Sequence, residues 1–231
     1  MAFRKKDKEE KRAGIIVADN PKSVVAEQFR TIRTNIQFSV IDNELDTLSV
    51  TSATAESGKT TLSLNLAASF ASEGTKVLLV STDMRKPTLH KVFKVPNTQG
   101  MTNLLTNREF TLEDVVQSSY VPNLDYVTSG PVPPNPAELL NSRRMDDLIR
   151  EMKNQYELVI FDTPPLLAVT DPQIMASKVD GTIVVVPQGE VKKNELEDAA
   201  ELLEKVNANV LGTVMNKVTA DSDSYYYYGE E

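Results

Sequence analysis

One short segment constrains the fold of this chain more than any other. Residues 53–60, with the sequence ATAESGKT, match the phosphate-binding pattern of Ala or Gly, four residues, then Gly-Lys-Ser/Thr. Residues 47–52 are typical of a short strand, and apolar residues at helical spacing run from Thr60 to Glu73, just before Gly74. Because a phosphate loop connects a strand to a helix, this placement predicts a nucleotide-binding site.

Further strand-like segments follow this unit. They are rich in β-branched or apolar residues, alternate with helical patterns, and lie at residues 76–81, 124–128, 158–161, 182–186 and 210–215. Such alternation predicts an α/β fold of the P-loop NTPase type, a mostly parallel sheet with helices on both faces. The proline-rich residues 130–136, within 107–141, predict an ordered extended loop, because proline removes backbone donors.

Length and composition favour one large domain with flexible ends. The chain has 231 residues and 40% hydrophobic content, enough for a buried core but too little for two ordinary domains. We expect a flexible leader at residues 1–20, a P-loop domain at 21–218 and a disordered tyrosine-rich tail at 219–231.

The charge and the residue content exclude several classes of function. A formal net charge of −8 argues against nucleic acid as a partner. No apolar run reaches the length of a membrane-spanning helix and no secretory signal is evident, so a cytoplasmic protein without direct membrane insertion is expected. With no cysteine and one histidine, His90, any catalytic metal must be held by oxygen, which favours Mg²⁺. His90 is predicted to lie on the surface of a helix.

The phosphate loop supplies most of the predicted nucleotide-binding residues. Its backbone N–H groups would converge on the phosphates, Lys59 would reach the β and γ oxygens, and the Thr60 hydroxyl would coordinate Mg²⁺. Glu56 is unfavourable beside a polyphosphate unless it points away. The predicted nucleotide-binding residues are Ala55, Glu56, Ser57, Gly58, Lys59, Thr60, Thr61 and Asn216. For Asn216, adenine recognition and a turn-forming role both remain open.

Two carboxylates follow predicted strands. Asp83 ends the second strand and Asp162 follows residues 158–161. The carboxyl ends of parallel strands share one edge of a sheet with the phosphate loop, so both aspartates can join Thr60 around one Mg²⁺. Alternatively, each aspartate caps a following helix. Phosphoryl transfer needs mainly positioning and charge neutralisation, so the predicted catalytic residues are Lys59, Asp83, Asp162 and Arg85, with Asp83 orienting or deprotonating the acceptor hydroxyl.

A row of four tyrosines, Tyr225, Tyr226, Tyr227 and Tyr228, lies close to the end of the sequence. Together with a phosphoryl-donor site in the same chain, the row predicts a phosphoacceptor cluster. Two other interpretations are an aromatic end that docks a partner and a degradation tag.

The whole pattern resembles the bacterial tyrosine kinases of capsule and exopolysaccharide synthesis, in the Gram-positive form where the cytoplasmic domain is a separate chain. The pieces that carry the resemblance are residues 27–36 (EQFRTIRTNI), the phosphate loop, 83–88 (DMRKPT), 130–139 (GPVPPNPAEL), 162–165 (DTPP) and the tyrosine cluster. The resemblance implies a tyrosine kinase domain that uses ATP and Mg²⁺ and autophosphorylates its tail between subunits of a ring-shaped homo-oligomer. It also implies activation at the inner face of the plasma membrane by a membrane-embedded regulator of polysaccharide chain length.

In this family the segment Glu-x-x-Arg-x-x-Arg serves subunit contact, which assigns Glu27, Arg30 and Arg33 to an oligomer interface. From the residues alone, these positions equally suit the solvated side of an amphipathic helix.

Two positions depart from the family pattern. The family usually has Asp-x-Asp after the second strand, whereas Ser81 stands here in place of the first acid. The loop has Ala55 and Glu56 where a Pro-Gly pair is common. The missing carboxylate keeps two other hypotheses open: a P-loop ATPase switch that regulates assembly of a membrane polysaccharide complex, and a catalytically silent binding module.

Overall fold

The computed structural model describes residues 14–40 and 45–218. Its centre is a seven-stranded sheet in the order β3-β4-β2-β5-β1-β6-β7. The strands are β1 (Thr47–Ser52), β2 (Val77–Ser81), β3 (Gln117–Ser118), β4 (Leu124–Val127), β5 (Leu158–Asp162), β6 (Gly181–Pro187) and β7 (Val210–Asn216). All neighbouring pairs are parallel except β3 with β4. The predicted α/β fold is therefore confirmed.

Helices cover both faces of this sheet. They are α1 (Ile16–Asp19), α2 (Val24–Ser39), α3 (Lys59–Ala71), α4 (Leu89–Phe93), α5 (Met101–Thr106), α6 (Pro136–Leu140), α7 (Arg143–Gln155), α8 (Asp171–Ala176) and α9 (Lys193–Glu204), with a 3₁₀ turn at Leu112–Asp114. None of the helices in the described part of the chain is long and apolar enough to cross a membrane.

Alternation along the buried strands places apolar side chains on both faces of the sheet. In β2, Val77 and Leu79 pack with α3, while Leu78 and Val80 pack on the opposite face with α7. Successive side chains of a strand point to opposite faces, so a strand that is apolar at every position must be covered on both sides. The strand predicted at residues 182–186 is β6, which is buried at every position.

Three parts of the sequence-based description need correction. The predicted flexible leader at residues 1–20 is wrong at its C-terminal end, because Ile15 and Val17 are buried and the Val17 N–H donates to Asn65 Oδ1 at 3.2 Å. The loop predicted within 107–141 contains α6, whose first residue, Pro136, suits a first-turn position where an N–H would have no partner. The antiparallel strand β3 was missed because two residues carry no detectable period.

Two of the sequence-based predictions fall on the ends of the chain. The tyrosine-rich tail at residues 219–231 and the first part of the leader, residues 1–13, lie outside the described residues.

Candidate active site

The phosphate loop joins β1 to α3 at the carboxyl edge of the sheet. Gly58 precedes α3 with φ +85°, and a Cβ at this position would lie 2.2 Å from Asn216 Nδ2, so only glycine fits. The Asn216 amide donates to the Ser57 carbonyl at 2.9 Å, and Ser57 itself is buried. Asn216 therefore holds the loop through its backbone, and its predicted contact with adenine stays a prediction.

A cleft of about 790 Å³ opens beside this loop. Eight of the sequence-predicted residues line it: Ala55, Glu56, Gly58, Lys59, Thr60, Thr61, Asp83 and Arg85. The cleft also exposes Thr88 and His90 and is closed on one side by Pro164 and Pro165. The structure thus brings most of the predicted site together in one cavity.

Asp162 lies beneath the cleft at the end of β5. Its side chain is buried and accepts hydrogen bonds from Thr60 Oγ1 at 2.7 Å and from Ser63 Oγ at 3.3 Å. Burial raises the pKa of Asp162 to about 6, although the bond from Thr60 and the charge of Lys59 oppose the shift. The carboxylate is bound by hydroxyls from α3, so the alternative prediction that it caps a following helix is wrong.

Lys59 is the buried cation of the site. Burial lowers the pKa of its amine, and the nearby carboxylates of Asp162 and Asp83 act in the opposite direction. Lys59 as a whole residue is 9% exposed, and its amine lies near two carboxylates, so it is well placed to receive the terminal phosphates of a nucleotide.

Asp83 is fixed by its own turn. Its Oδ1 accepts from the backbone N–H groups of Arg85 at 3.2 Å and Lys86 at 2.9 Å, and α4 begins only at Leu89. Asp83 therefore caps the turn at residues 83–86 and does not cap a helix. Its other oxygen, Oδ2, makes no hydrogen bond within residues 14–40 and 45–218, which leaves it available to a metal or to a substrate hydroxyl.

Arg85, predicted as catalytic, is held by a residue that the sequence did not reveal. Its Nε and Nη2 donate to Asp171 Oδ2 at 2.9 Å and Oδ1 at 3.0 Å, and the Asp171 side chain is fully buried. This hydrogen bonding raises the pKa of Arg85. The pair fixes the segment after β2 against α8, so in this structure Arg85 has a positioning contact.

The donor set fits Mg²⁺. Thr60 Oγ1, Asp162 and Asp83 offer only hard oxygen ligands, and Mg²⁺ is usually held by one or two carboxylates with water and substrate phosphates. In the described part of the chain no cluster of three or more His, Cys, Asp or Glu forms a complete metal site. A cation here would therefore depend on a bound polyphosphate for part of its shell.

Comparisons with known proteins agree with this geometry. An AAA domain model matches residues 45–216. The chain is 44% identical over 230 residues to tyrosine-protein kinase YwqD of Bacillus subtilis, covering 99% of this chain and 97% of that protein. The chain belongs to the bacterial tyrosine-protein kinase family.

Solved structures of family kinases have the same fold. The crystal structure of the chimerical protein CapA2B2 matches with a TM-score of 0.86 and 40% identity, over 89% of this chain and 90% of that one. The kinase domain of the Escherichia coli tyrosine kinase ETK matches with a TM-score of 0.87 and 34% identity, over 99% of this chain and 89% of that one. The resemblance drawn from the sequence motifs is confirmed.

The resemblance implies another acidic residue at position 81, and this chain has a small, buried serine there. Ser81 is 1% exposed, pairs in register with Asp162 across β2 and β5, and its Oγ has no hydrogen-bond partner among the described residues. A carboxylate at this position would lie beside that of Asp162. The serine leaves the kinase site with two carboxylates and one unpartnered hydroxyl.

Several residues of the kinase site escaped sequence reasoning. Thr88 Oγ1 lies 2.8 Å from Thr60 Oγ1, and Ser63 contacts Asp162. His90, predicted on the surface, lines the cleft and has a buried Nδ1 without a partner among residues 14–40 and 45–218. The DMRKPT segment could have indicated that Thr88 belongs to the site, because the segment begins at Asp83. No feature of the sequence indicated that His90 Nδ1 is buried.

Proposed function

We propose that this chain is an ATP-dependent protein-tyrosine kinase that phosphorylates Tyr225 to Tyr228 on a neighbouring copy of itself, and thereby regulates capsule or exopolysaccharide synthesis and export. The observation that carries the proposal is one cleft that joins Lys59, Thr60 and Asp83 above the buried Asp162, in a chain that belongs to a tyrosine-protein kinase family. ATP is the proposed phosphoryl donor.

The phosphate loop would bind and orient the nucleotide. Its backbone N–H groups and the α3 N-terminus favour negative charge, and Lys59 would pair with the β and γ oxygens. Thr60, Asp162 and Asp83 would hold Mg²⁺, which neutralises phosphate charge when bound. The Asn216 bond to Ser57 would keep the loop in its binding shape.

The transfer forms one bond and breaks one. The phenolic oxygen of a tail tyrosine attacks the γ-phosphorus of ATP, and the bond from that phosphorus to the β,γ-bridging oxygen breaks, which releases ADP. The phenol proton passes to Asp83 and then to water. A phenol, with a pKa of about 10, needs less help from a base than an alkyl alcohol does.

The subunit interface of a ring would use the exposed start of α2. Glu27 and Arg30 form an ion pair on the surface, with 68% and 32% of their side chains exposed. Arg33 differs, because its Nη1 donates to Ser69 O at 2.8 Å and lies 3.1 Å from Glu73, and only 12% of its side chain is exposed. We assign Glu27 and Arg30 to direct subunit contact and Arg33 to fixing α2 on α3.

A membrane-embedded regulator of polysaccharide chain length is the proposed activator. It would bring the kinase to the inner face of the plasma membrane without insertion of the kinase itself. The net charge of −8 supports a protein partner over nucleic acid.

One observation favours a second function. Ser81 removes a carboxylate beside Asp162, which would slow activation of an acceptor but would leave nucleotide binding intact. The chain would then be an ATPase switch whose nucleotide state controls assembly of a membrane polysaccharide complex.

Mass spectrometry of the tail separates the two functions. The full chain is incubated with ATP, Mg²⁺ and the cytoplasmic segment of the activating partner, beside a Lys59→Met control. Phosphate on Tyr225 to Tyr228 that is absent from the control supports the kinase. Release of inorganic phosphate without tail labelling supports the switch and contradicts the kinase.

A further inference from the structure

Residues 85–91 make one part of the nucleotide cleft cationic. Arg85, Lys86 and Lys91 all line the cavity, in a chain whose formal net charge is −8. The carboxylates in the same lining belong to Glu56 and Asp83. A local excess of positive charge in an acidic protein indicates an anionic ligand.

The charges of Lys86 and Lys91 are not used inside the subunit. Both side chains are exposed, and within the described residues neither has a carboxylate partner within 4.0 Å. Arg85, in contrast, is paired with Asp171. Burial and the neighbouring charge of Lys91 lower the pKa of His90, so this histidine is neutral at pH 7 and adds no positive charge. Among the described residues 85–91, Lys86 and Lys91 thus carry the positive charge that has no carboxylate partner.

The positions of these lysines are set by the fold. The Lys86 N–H donates to Asp83 Oδ1 at 2.9 Å, which ties it to the turn at the predicted catalytic aspartate. Lys91 lies on α4, which begins after Thr88, the partner of Thr60. The backbone at both lysines is therefore held close to the place where phosphate would be transferred.

The proposed acceptor segment has the complementary charge. Residues 219–231 contain no lysine or arginine, and their acidic residues are Asp221, Asp223, Glu230 and Glu231. Asp223 and Asp221 precede Tyr225 by two and four residues, so an extended chain carries them about 7 and 14 Å from the tyrosine.

Resting on the proposed kinase function, we propose that Lys86 and Lys91 form the acceptor-peptide site and select tyrosines that follow acidic residues. Lys59 takes the nucleotide phosphates, and the two lysines take the side chains of Asp221 and Asp223. The occupant is the tail of a neighbouring copy, whose sequence supplies both carboxylates.

The test measures binding of a fluorescein-labelled peptide of residues 219–231 by anisotropy, in the presence of ADP and Mg²⁺. The binder is the full chain with its own tail neutralised by Asp221→Asn, Asp223→Asn, Glu230→Gln and Glu231→Gln, so that it does not compete. In that background, Lys86→Gln with Lys91→Gln should weaken peptide binding about fivefold or more at low salt. The loss should shrink in high salt because exposed charges are screened.

Matched variants distinguish a specific effect of Lys86 and Lys91 from the effect of removing any two positive charges. Lys94→Gln with Lys192→Gln makes the same change of charge at exposed positions outside the cleft lining, and should leave peptide affinity unchanged. A peptide with Asp221→Asn and Asp223→Asn should bind the parent chain as weakly as the native peptide binds the Lys86 and Lys91 variant. ADP affinity should be equal in all chains.

Equal binding of the native and neutralised peptides by the parent chain would overturn the proposal, as would a parallel loss of ADP affinity in the Lys86 and Lys91 variant. Steady-state phosphorylation of the same peptide, with ATP, Mg²⁺ and the cytoplasmic segment of the activating partner present, keeps the two proposals distinct. A raised KM with unchanged kcat supports the acceptor site. Lysine-dependent binding without any phosphorylation would contradict the kinase function and leave the peptide site standing.

Discussion

Arg85 and Asp171 form a bidentate ion pair in which the aspartate side chain is fully buried and the arginine side chain is 40% exposed. The pair crosses from the segment after β2 to the start of α8. It fixes the residues between Asp83 and α4, which supply the cleft with Asp83, Lys86 and Thr88.

Removing the arginine should destabilise the fold as well as the site. Arg85→Met leaves the Asp171 carboxylate buried without a partner, and we expect a loss of about 2 to 3 kcal/mol in the free energy of unfolding. Adding Asp171→Asn to Arg85→Met should recover part of this loss because a neutral amide costs less to bury. Urea unfolding of both variants checks this, and Lys86→Met, one residue away and unpaired, should be neutral.

Glu56 occupies a left-handed backbone conformation in the phosphate loop, with φ 59°. That conformation costs a residue other than glycine about 1 kcal/mol, and the carboxylate also lies beside the expected phosphates. Glu56→Gly should therefore raise the free energy of unfolding, and by removing the charge it should tighten ADP binding severalfold, as measured by calorimetry. Glu56→Gln, which removes only the charge, should tighten ADP binding to a similar extent without the gain in stability; equal ADP affinity in all three chains would contradict this account of the loop.

The raised pKa of Asp162 predicts how stability changes with pH when no metal or nucleotide is bound. The pKa moves from 3.8 to about 6 on folding, so the folded protein holds the proton more tightly than the unfolded chain does. This contribution is complete below about pH 4 and is lost as the pH rises to about 6. The expected size is roughly 2 to 3 kcal/mol.

Chemical unfolding in EDTA across this pH range measures the effect. Asp162→Asn cannot titrate and should remove most of the fall in stability between pH 4 and 6. A fall of the same size in the variant would show that other groups cause it.

Ser81→Asp should raise the rate of tail phosphorylation by roughly tenfold or more, because it restores a carboxylate beside the reacting groups. It should also lower stability in EDTA, since the new charge is buried next to Asp162. Ser81→Asn, similar in shape but uncharged, is the control and should give no gain. An unchanged rate in Ser81→Asp would show that this kinase is not attenuated by its serine.

Much of the site could be predicted because its parts are local in sequence. The phosphate loop, Asp83 and Asp162 each follow an apolar strand, and strand ends in a parallel sheet meet at one edge. The Arg85–Asp171 pair and the Asn216–Ser57 bond join residues 86 and 159 positions apart. No periodic or local signal specifies such contacts, which depend on the packing of α8 and on β7 as a neighbour of β6.

The burial of Ile15 and Val17 was missed for a different reason. A charged stretch precedes them, and four helical residues are too few to show a period. The packing of α1 on α2 and α3 shows that these residues belong to the domain.

The most direct test of the central claim mixes two variants of the chain, each of which lacks one part needed for the proposed reaction. One chain carries Tyr225 to Tyr228 changed to Phe and so has the donor site without acceptors. The other carries Lys59→Met and so has the acceptors without a working donor site. With ATP, Mg²⁺ and the activating segment present, we predict phosphotyrosine on the Lys59→Met chain alone. An unlabelled Lys59→Met chain beside a labelled unaltered protein would contradict transfer between copies, and no label on either would contradict the kinase function.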